Sequence, residues 1–178
     1  RRVLFRSPYK FFIVNSPDIN AFAFFGGHIG IHTGLIFNAR NESELASVLA
    51  HEVSHVTQRH IARSIEARQK SSPLQIASLL GSILLAVVSP EAGMAAISVS
   101  NAASAQSSIN YTRQNEKEAD RVGIAILAEA GFDPNGASSF FGILAEKNRL
   151  KSVPLAFLLT HPLPESRIAD ARTRAARR

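Results

Sequence analysis

The spacing of hydrophobic positions changes period along the chain, and the changes mark where its elements are expected. From Lys10 to Ile36, short aromatic or β-branched runs are broken by Ser16-Pro17-Asp18 and Gly26-Gly27, the chemistry of strands and turns. A small N-terminal sheet is predicted there. Beyond it Leu45, Val48, Leu49, Val53 and Val56 recur at helical spacing, and Asn41 with Glu44 three residues later reads as a capping box. One long helix is predicted from about residue 42 to about residue 68.

Residues 74 to 89 carry no charge and stop at Pro90, and a second weakly polar stretch runs from Met94 to Ser108. The first stretch is shorter than the roughly 20 residues that cross a bilayer. The pair therefore reads either as core helices or as a hairpin that touches a membrane or lines a substrate groove. Three further helices are predicted: one from about residue 113 closed by Gly131, one opening at Asp133-Pro134, and one with Pro164 in its first turn. Without repeats or a linker, residues 8 to 178 read as a single domain with an apolar insertion at about 74 to 105. The expected class is α+β, mainly helical.

Composition adds limits. A chain of 178 residues with 46% hydrophobic and 19% charged residues can bury one substantial core. The net charge of +6 sits at the ends, on Arg1, Arg2 and Arg6 and on Arg172, Arg174, Arg177 and Arg178. No basic run lies in the interior, so no nucleic-acid partner is expected. The opening residues 1 to 7, "RRVLFRS", look like a translated sequencing adapter and are set aside as a non-native leader. On that reading the gene began further upstream, and a signal peptide or anchor is expected to have been lost. Cysteine is absent, so any metal must be held by His, Asp or Glu.

The chemistry concentrates in His51-Glu52-Val53-Ser54-His55, an H-E-x-x-H pattern. Residues four apart on a helix point the same way about 6 Å apart, so two imidazoles can share one zinc ion while Glu52 serves its bound water as general base. On a helical wheel Glu52 falls inside the apolar sector, where a carboxylate needs compensation. A third ligand must come from elsewhere. On the helix from residue 113, Glu116 shares a face with Ala119, Gly123, Ile126 and Leu127, whereas Glu118 points away. Glu116 is the predicted ligand, Asp120 the acceptor for the second ring N–H of a ligating histidine, and Gly123 the point of close helix approach. His60 is excluded from the same metal by about 13 Å of axial rise from His51. His28 and His32 are expected at the surface or a cleft rim, and His161 lies in a rigid loop that could return to the cleft.

Together these segments resemble one family, the gluzincin metallopeptidases that include the CAAX prenyl proteases, HtpX, the Oma-type proteases and the periplasmic BepA-like proteases. The resemblance rests on Asn20-Ala-Phe-Ala23 with Gly26-Gly27, on "LAHEVSHVTQRH", on "NEKEADRVG" and on "THPLPESRI", in the family's order from Asn20 to Ile168. The BepA-like versions of these motifs are nearest. The resemblance implies a zincin-like fold with one Zn2+ held by His51, His55 and Glu116, Glu52 as general base and Asp120 behind the ligands. It implies His161 and Arg167 near the metal or the oxyanion, with His161 as a candidate inhibitory ligand. An edge strand at Asn20, Ala21, Phe22 and Ala23 would bind the substrate backbone. It further implies polypeptide substrates among misfolded or stalled outer-membrane proteins and a periplasmic, membrane-associated location; BepA-like proteins also carry a helical repeat domain after the peptidase. HtpX and the prenyl proteases have true transmembrane helices between the two ligand helices, whereas residues 74 to 105 are too short and too polar for such a pair, so a peripheral membrane contact is expected there. The alternative is a latent protease that acts as a chaperone-like binding module.

Overall fold

The computed structural model describes residues 9 to 150, 152 and 154 to 178; the expected leader, residues 1 to 7, lies outside them. The chain divides into two compact units, one containing residues up to Arg59 together with Asn115–Arg178, the other His60–Gln114.

The first unit begins with three strands, β1 (Lys10–Val14), β2 (Ala21–Phe24) and β3 (His28–His32), in the order β1-β3-β2. β1 runs parallel to β3 with Phe12 opposite Gly30, and β2 runs antiparallel to it with Phe22 opposite the same glycine. Gly26 and Gly27 make the tight β2 to β3 turn, with φ of 79° and 75° that only glycine adopts without strain. Alternation sorts the faces. Ala21, Ile29 and Ile31 are buried toward the core, while Phe12, Phe22, Phe24, His28 and His32 share the opposite face. A short helix, α1 (Thr33–Asn38), follows where the hydrophobic pattern continues that of the strands and hides it.

The predicted long helix is in fact broken. α2 spans Glu42–Thr57, Arg59 takes a left-handed φ of 56°, and α3 (His60–Val88) starts afresh in the second unit. No glycine or proline marks the break, so periodicity ran through it. His60 therefore opens a separate helix, and the axial-rise argument that set it aside does not apply.

The capping box is half formed. Asn41 Oδ1 accepts from Glu44 N–H at 2.9 Å, but the Glu44 carboxylate accepts from the Arg40 backbone N–H at 2.7 Å, the Arg40 guanidinium and Ser139 Oγ instead of returning to Asn41. These donors are why a carboxylate can sit at 0% exposure. Leu45, Val48 and Leu49 pack on the core as the wheel predicts, yet the buried stripe also includes Glu44, Ser47, His51, Glu52 and Ser54.

The helix predicted from residue 113 is the end of α4 (Pro90–Glu129). Gly131, at φ 83°, closes it as expected. α5 (Asn135–Arg149) supplies Phe140, Phe141, Ile143 and Leu144 to the core. It approaches α2 closely because a Cβ at Gly136 would lie 2.5 Å from the Ser43 carbonyl oxygen. A short helix absent from the sequence reading, α6 (Ala156–Thr160), buries Phe157, and α7 (Glu165–Ala175) follows Pro164.

The second unit pairs α3 with the first part of α4, and Ser78 and Ser100 hydroxyls meet at 2.7 Å between them. α3 accommodates Pro73 internally. Leu74, Ile76, Leu80, Met94 and Val99 are exposed. Among the described residues no helix is long and apolar enough to cross a membrane.

Glu44 also carries a pH dependence. Burial pushes its pKa up, but the donors from Arg40 and Ser139 more than offset this and hold it below the ordinary 4.5. A depressed folded-state pKa stabilises above the unfolded value and stops doing so as pH falls through the folded one. Glu44→Gln should therefore destabilise by about 1 to 3 kcal/mol at neutral pH and by much less in acid, measured by denaturant unfolding across pH.

Candidate metal centre

α2 brings His51 and His55 to one side of a single turn, with their Nε2 atoms 3.0 Å apart. α4 adds Glu116, whose Oε1 lies 3.3 Å from His55 Nε2 and whose Oε2 lies 3.3 Å from His51 Nε2. The segment after α6 adds His161, whose Nδ1 is 3.4 Å from His51 Nε2 and 3.1 Å from Glu116 Oε1. One donor atom from each of these four residues lies within 4.8 Å of every other.

Those spacings test whether a metal fits. Tetrahedral ligands held at about 2.0 to 2.1 Å from zinc sit about 3.3 Å from each other, close to the separations found here. Charge gives a second test. Glu52, Glu116 and Asp120 are 1%, 3% and 7% exposed, and one buried guanidinium, Arg167, faces this group. With the carboxylates ionised and the imidazoles neutral, a divalent cation balances the remaining charge. Both tests are passed.

The electrostatics around the cluster follow from the same crowding. Burial opposes the charged form of His51, but Asp120 and Glu116 outweigh it and raise the ring to about 10. Burial and the neighbouring His51 lower His55. Burial alone would raise Glu116, yet contacts with His161, His51 and His55 hold it well below the usual carboxylate range. Asp120 is likewise held down by His51 and Arg167 against its burial. A metal ion competes with protons for such donors.

Glu52 is separate from the four. Its Oε1 has no hydrogen-bond partner and lies 3.4 Å from His161 Nε2. Asp120 Oδ1 is 3.0 Å from His51 Nδ1, on the ring side away from the cluster, although the ring N–H is not aligned well enough to count as a hydrogen bond. Arg167 donates through Nε and NH2 to the two oxygens of Asp120 at 2.7 Å each, and through NH1 to the Pro162 carbonyl at 2.6 Å; NH1 also lies 2.9 Å from Glu116 Oε2. Its guanidinium lies over the Phe141 ring. Arg167 is thus turned toward the two acids and the His161 loop. Asn20, Ala21, Phe22 and Ala23 lie at and just before edge strand β2, apart from the donor cluster, and Glu118 is outside it as well.

A model of peptidase family M48 matches residues 3–175. The chain belongs to peptidase family M48. It is 58% identical over 170 residues to the putative beta-barrel assembly-enhancing protease of Vibrio cholerae and 54% identical over 170 residues to the beta-barrel assembly-enhancing protease of Escherichia coli. Each match covers 96% of this chain and 35% of the relative. It is 31% identical over 160 residues to the mitochondrial metalloendopeptidase OMA1 of Arabidopsis thaliana, covering 89% of this chain and 30% of that protein. This M48 chain spans about a third of the length of the curated relatives it matches.

Two site features had different visibility in the sequence. Gly123 showed itself by its place on the ligand face, and a Cβ there would stand 3.1 to 3.3 Å from the backbone of Ala50 and His51. Phe157, stacked on His161 at 4.5 Å, was one apolar residue among many. Gly123→Val should push the two ligand helices apart and lower metal affinity by at least about tenfold, whereas Gly142→Ala, where a Cβ meets nothing within 4 Å, should not. Competition titration with a chelating dye reads the difference.

Proposed function

We propose that this chain is the peptidase part of a zinc-dependent metalloendopeptidase that hydrolyses misfolded or stalled outer-membrane polypeptides. The observation that carries the reading is the convergence of His51, His55, Glu116 and His161 beside Glu52, whose Oε1 has no hydrogen-bond partner and lies 3.4 Å from His161 Nε2. His51, His55 and Glu116 are the proposed zinc ligands, with Asp120 orienting His51. Zinc, when bound, supplies Lewis acidity toward the scissile carbonyl and acidifies its water.

Glu52 is the proposed general base. It takes the proton from the attacking water and returns it to the departing amine, a transfer helped by an Oε1 that has no hydrogen-bond partner. His161 has two proposed parts. With Nδ1 against Glu116 and Nε2 toward Glu52, its ring fills the space that water and substrate need, and so holds the site closed. Once its loop withdraws, the same ring can donate to the oxyanion. Arg167, 2% exposed, serves these groups as a positioning residue by fixing the orientation of Glu116 and Asp120.

The substrate class, a periplasmic and membrane-associated setting, and the absence of a nucleic-acid partner belong to this proposal. The relatives from Vibrio cholerae and Escherichia coli, both named beta-barrel assembly-enhancing proteases, support the first. The exposed Leu74, Ile76, Leu80, Met94 and Val99 support peripheral membrane contact through residues 74 to 105. A single domain over residues 8 to 178, with that stretch as an insertion, is part of the same reading.

Glu52→Gln should keep its zinc and lose casein cleavage by about 10² to 10⁴-fold. Retained cleavage would remove Glu52 from its role, and a chelator-insensitive wild type would remove the metal. Client binding without any cleavage by the wild type would favour the chaperone-like module. For His161→Ala, faster cleavage indicates a closing role, and slower cleavage with unchanged KM indicates oxyanion support.

A further inference from the structure

The five-residue helix α6 is too short to be stable on its own, and hydrogen bonds from two other elements hold it. The Leu155 N–H donates to Asn148 Oδ1 at 3.1 Å, near the end of α5, and the Phe157 N–H donates to the Ile19 carbonyl at 3.2 Å, just ahead of β2. Leu155 and Phe157 are buried, whereas Leu159 is 67% exposed. Leu155 and Ala156 also border a cavity of about 500 Å³ that Ile19 and Pro154 help to line. Anchored at two points, α6 has open space beside it.

Phe157 is where that anchorage reaches the metal donors. Its ring is stacked on the His161 ring at 4.5 Å and 26°, and lies 6.4 Å from the His51 ring. Its carbonyl accepts from the His161 N–H at 2.9 Å and from Thr160 Oγ1 at 3.3 Å. The ring and the main chain of Phe157 thus both locate His161, whose Nδ1 is 3.1 Å from Glu116 Oε1 and whose Nε2 is 3.4 Å from Glu52 Oε1. On the other side of His161, Arg167 holds the Pro162 carbonyl, but that arginine is committed to Asp120 and Glu116 as well. Phe157 carries no charge, so replacing it leaves the partners of both acids in place.

We infer that Phe157 is a positioning residue that keeps His161 in the donor cluster, and that Asn148, by steadying α6, acts on the same histidine. This rests on the proposed reading in which His161 holds the site closed, and it names the residues that set how much of the protein is closed. Leucine in place of Phe157 keeps most of the apolar filling and loses the ring stack. That loss shifts the balance between closed and open forms by about two- to tenfold. Removing the Asn148 amide leaves the buried Leu155 N–H without its acceptor and loosens the same helix from its other end.

The test uses the full chain, loaded with zinc for cleavage and with cobalt for spectroscopy, since cobalt held by four protein donors absorbs more strongly in the visible than cobalt with added water ligands. Phe157→Leu should raise casein cleavage about two- to tenfold at unchanged metal content, and should move the cobalt spectrum toward that of His161→Ala. Asn148→Ala, outside the donor cluster, should shift both readings in the same direction by less. In a His161→Ala background neither substitution should change cleavage by more than about twofold. A change of equal size with and without His161 would show packing alone and overturn the inference. So would slower cleavage by Phe157→Leu, or a cobalt spectrum that it leaves in the wild-type form. Should Phe157→Leu not fold, Asn148→Ala decides by the same two readings. If the wild type does not cut casein, the peptidase reading falls, and the cobalt spectra still decide whether Phe157 holds His161.

Discussion

Two carboxylates and one guanidinium, all buried, hold the centre of this molecule in register. Asp120 and Glu116 come from α4 and Arg167 from α7, and the bidentate contact at 2.7 Å between Arg167 and Asp120 joins segments 47 residues apart. An ion pair this deep is stable only when each partner's remaining valences are met. Arg167 also donates to the Pro162 carbonyl and reaches Glu116, and Asp120 Oδ1 lies 3.0 Å from His51 Nδ1. Orientation of the donors, placement of the His161 loop and attachment of α7 thus depend on one network. A change to any member is felt by the others.

That dependence explains why the site and the fold were unequally legible in the sequence. His51, Glu52 and His55 sit within five residues, so the helix repeat alone brings them together. Glu116, Asp120 and Gly123 were found by asking which face of one helix could approach another, and the 3.1 Å clearance at Gly123 is the physical form of that argument. Arg167 was legible only as a motif residue. Its engagement with Asp120 and Pro162 depends on where α7 lands, and no local periodicity carries that information.

The misread elements share a cause. Hydrophobic spacing passed through Gln58 and Arg59 without a signal, because the break is made by a left-handed φ at an arginine and not by glycine or proline. The same spacing underestimated the buried face of α2, where Glu44, Ser47, His51 and Ser54 are buried with hydrogen-bond and ion-pair partners rather than by apolarity. Hydropathy reports the cost of leaving water, whereas burial is decided by that cost less what partners return. Polar residues with strong partners fall outside its view.

The same principle separates the sheet's two edges. β1 runs Lys-Phe-Phe-Ile-Val, and its Phe11 and Ile13 are 52% and 66% exposed, so apolar character alone does not bury a strand. β2 has a buried inner face at Ala21 and an outer face of stacked rings, so its main chain is held in one plane on both sides. The constraint that orders β2 is the glycine at position 30, which lets the Phe22 and Phe12 rings lie across the sheet. The buried charge network orders the candidate metal donors and the glycine at position 30 orders the stacked rings; in both places side-chain positions are fixed by the folded unit itself.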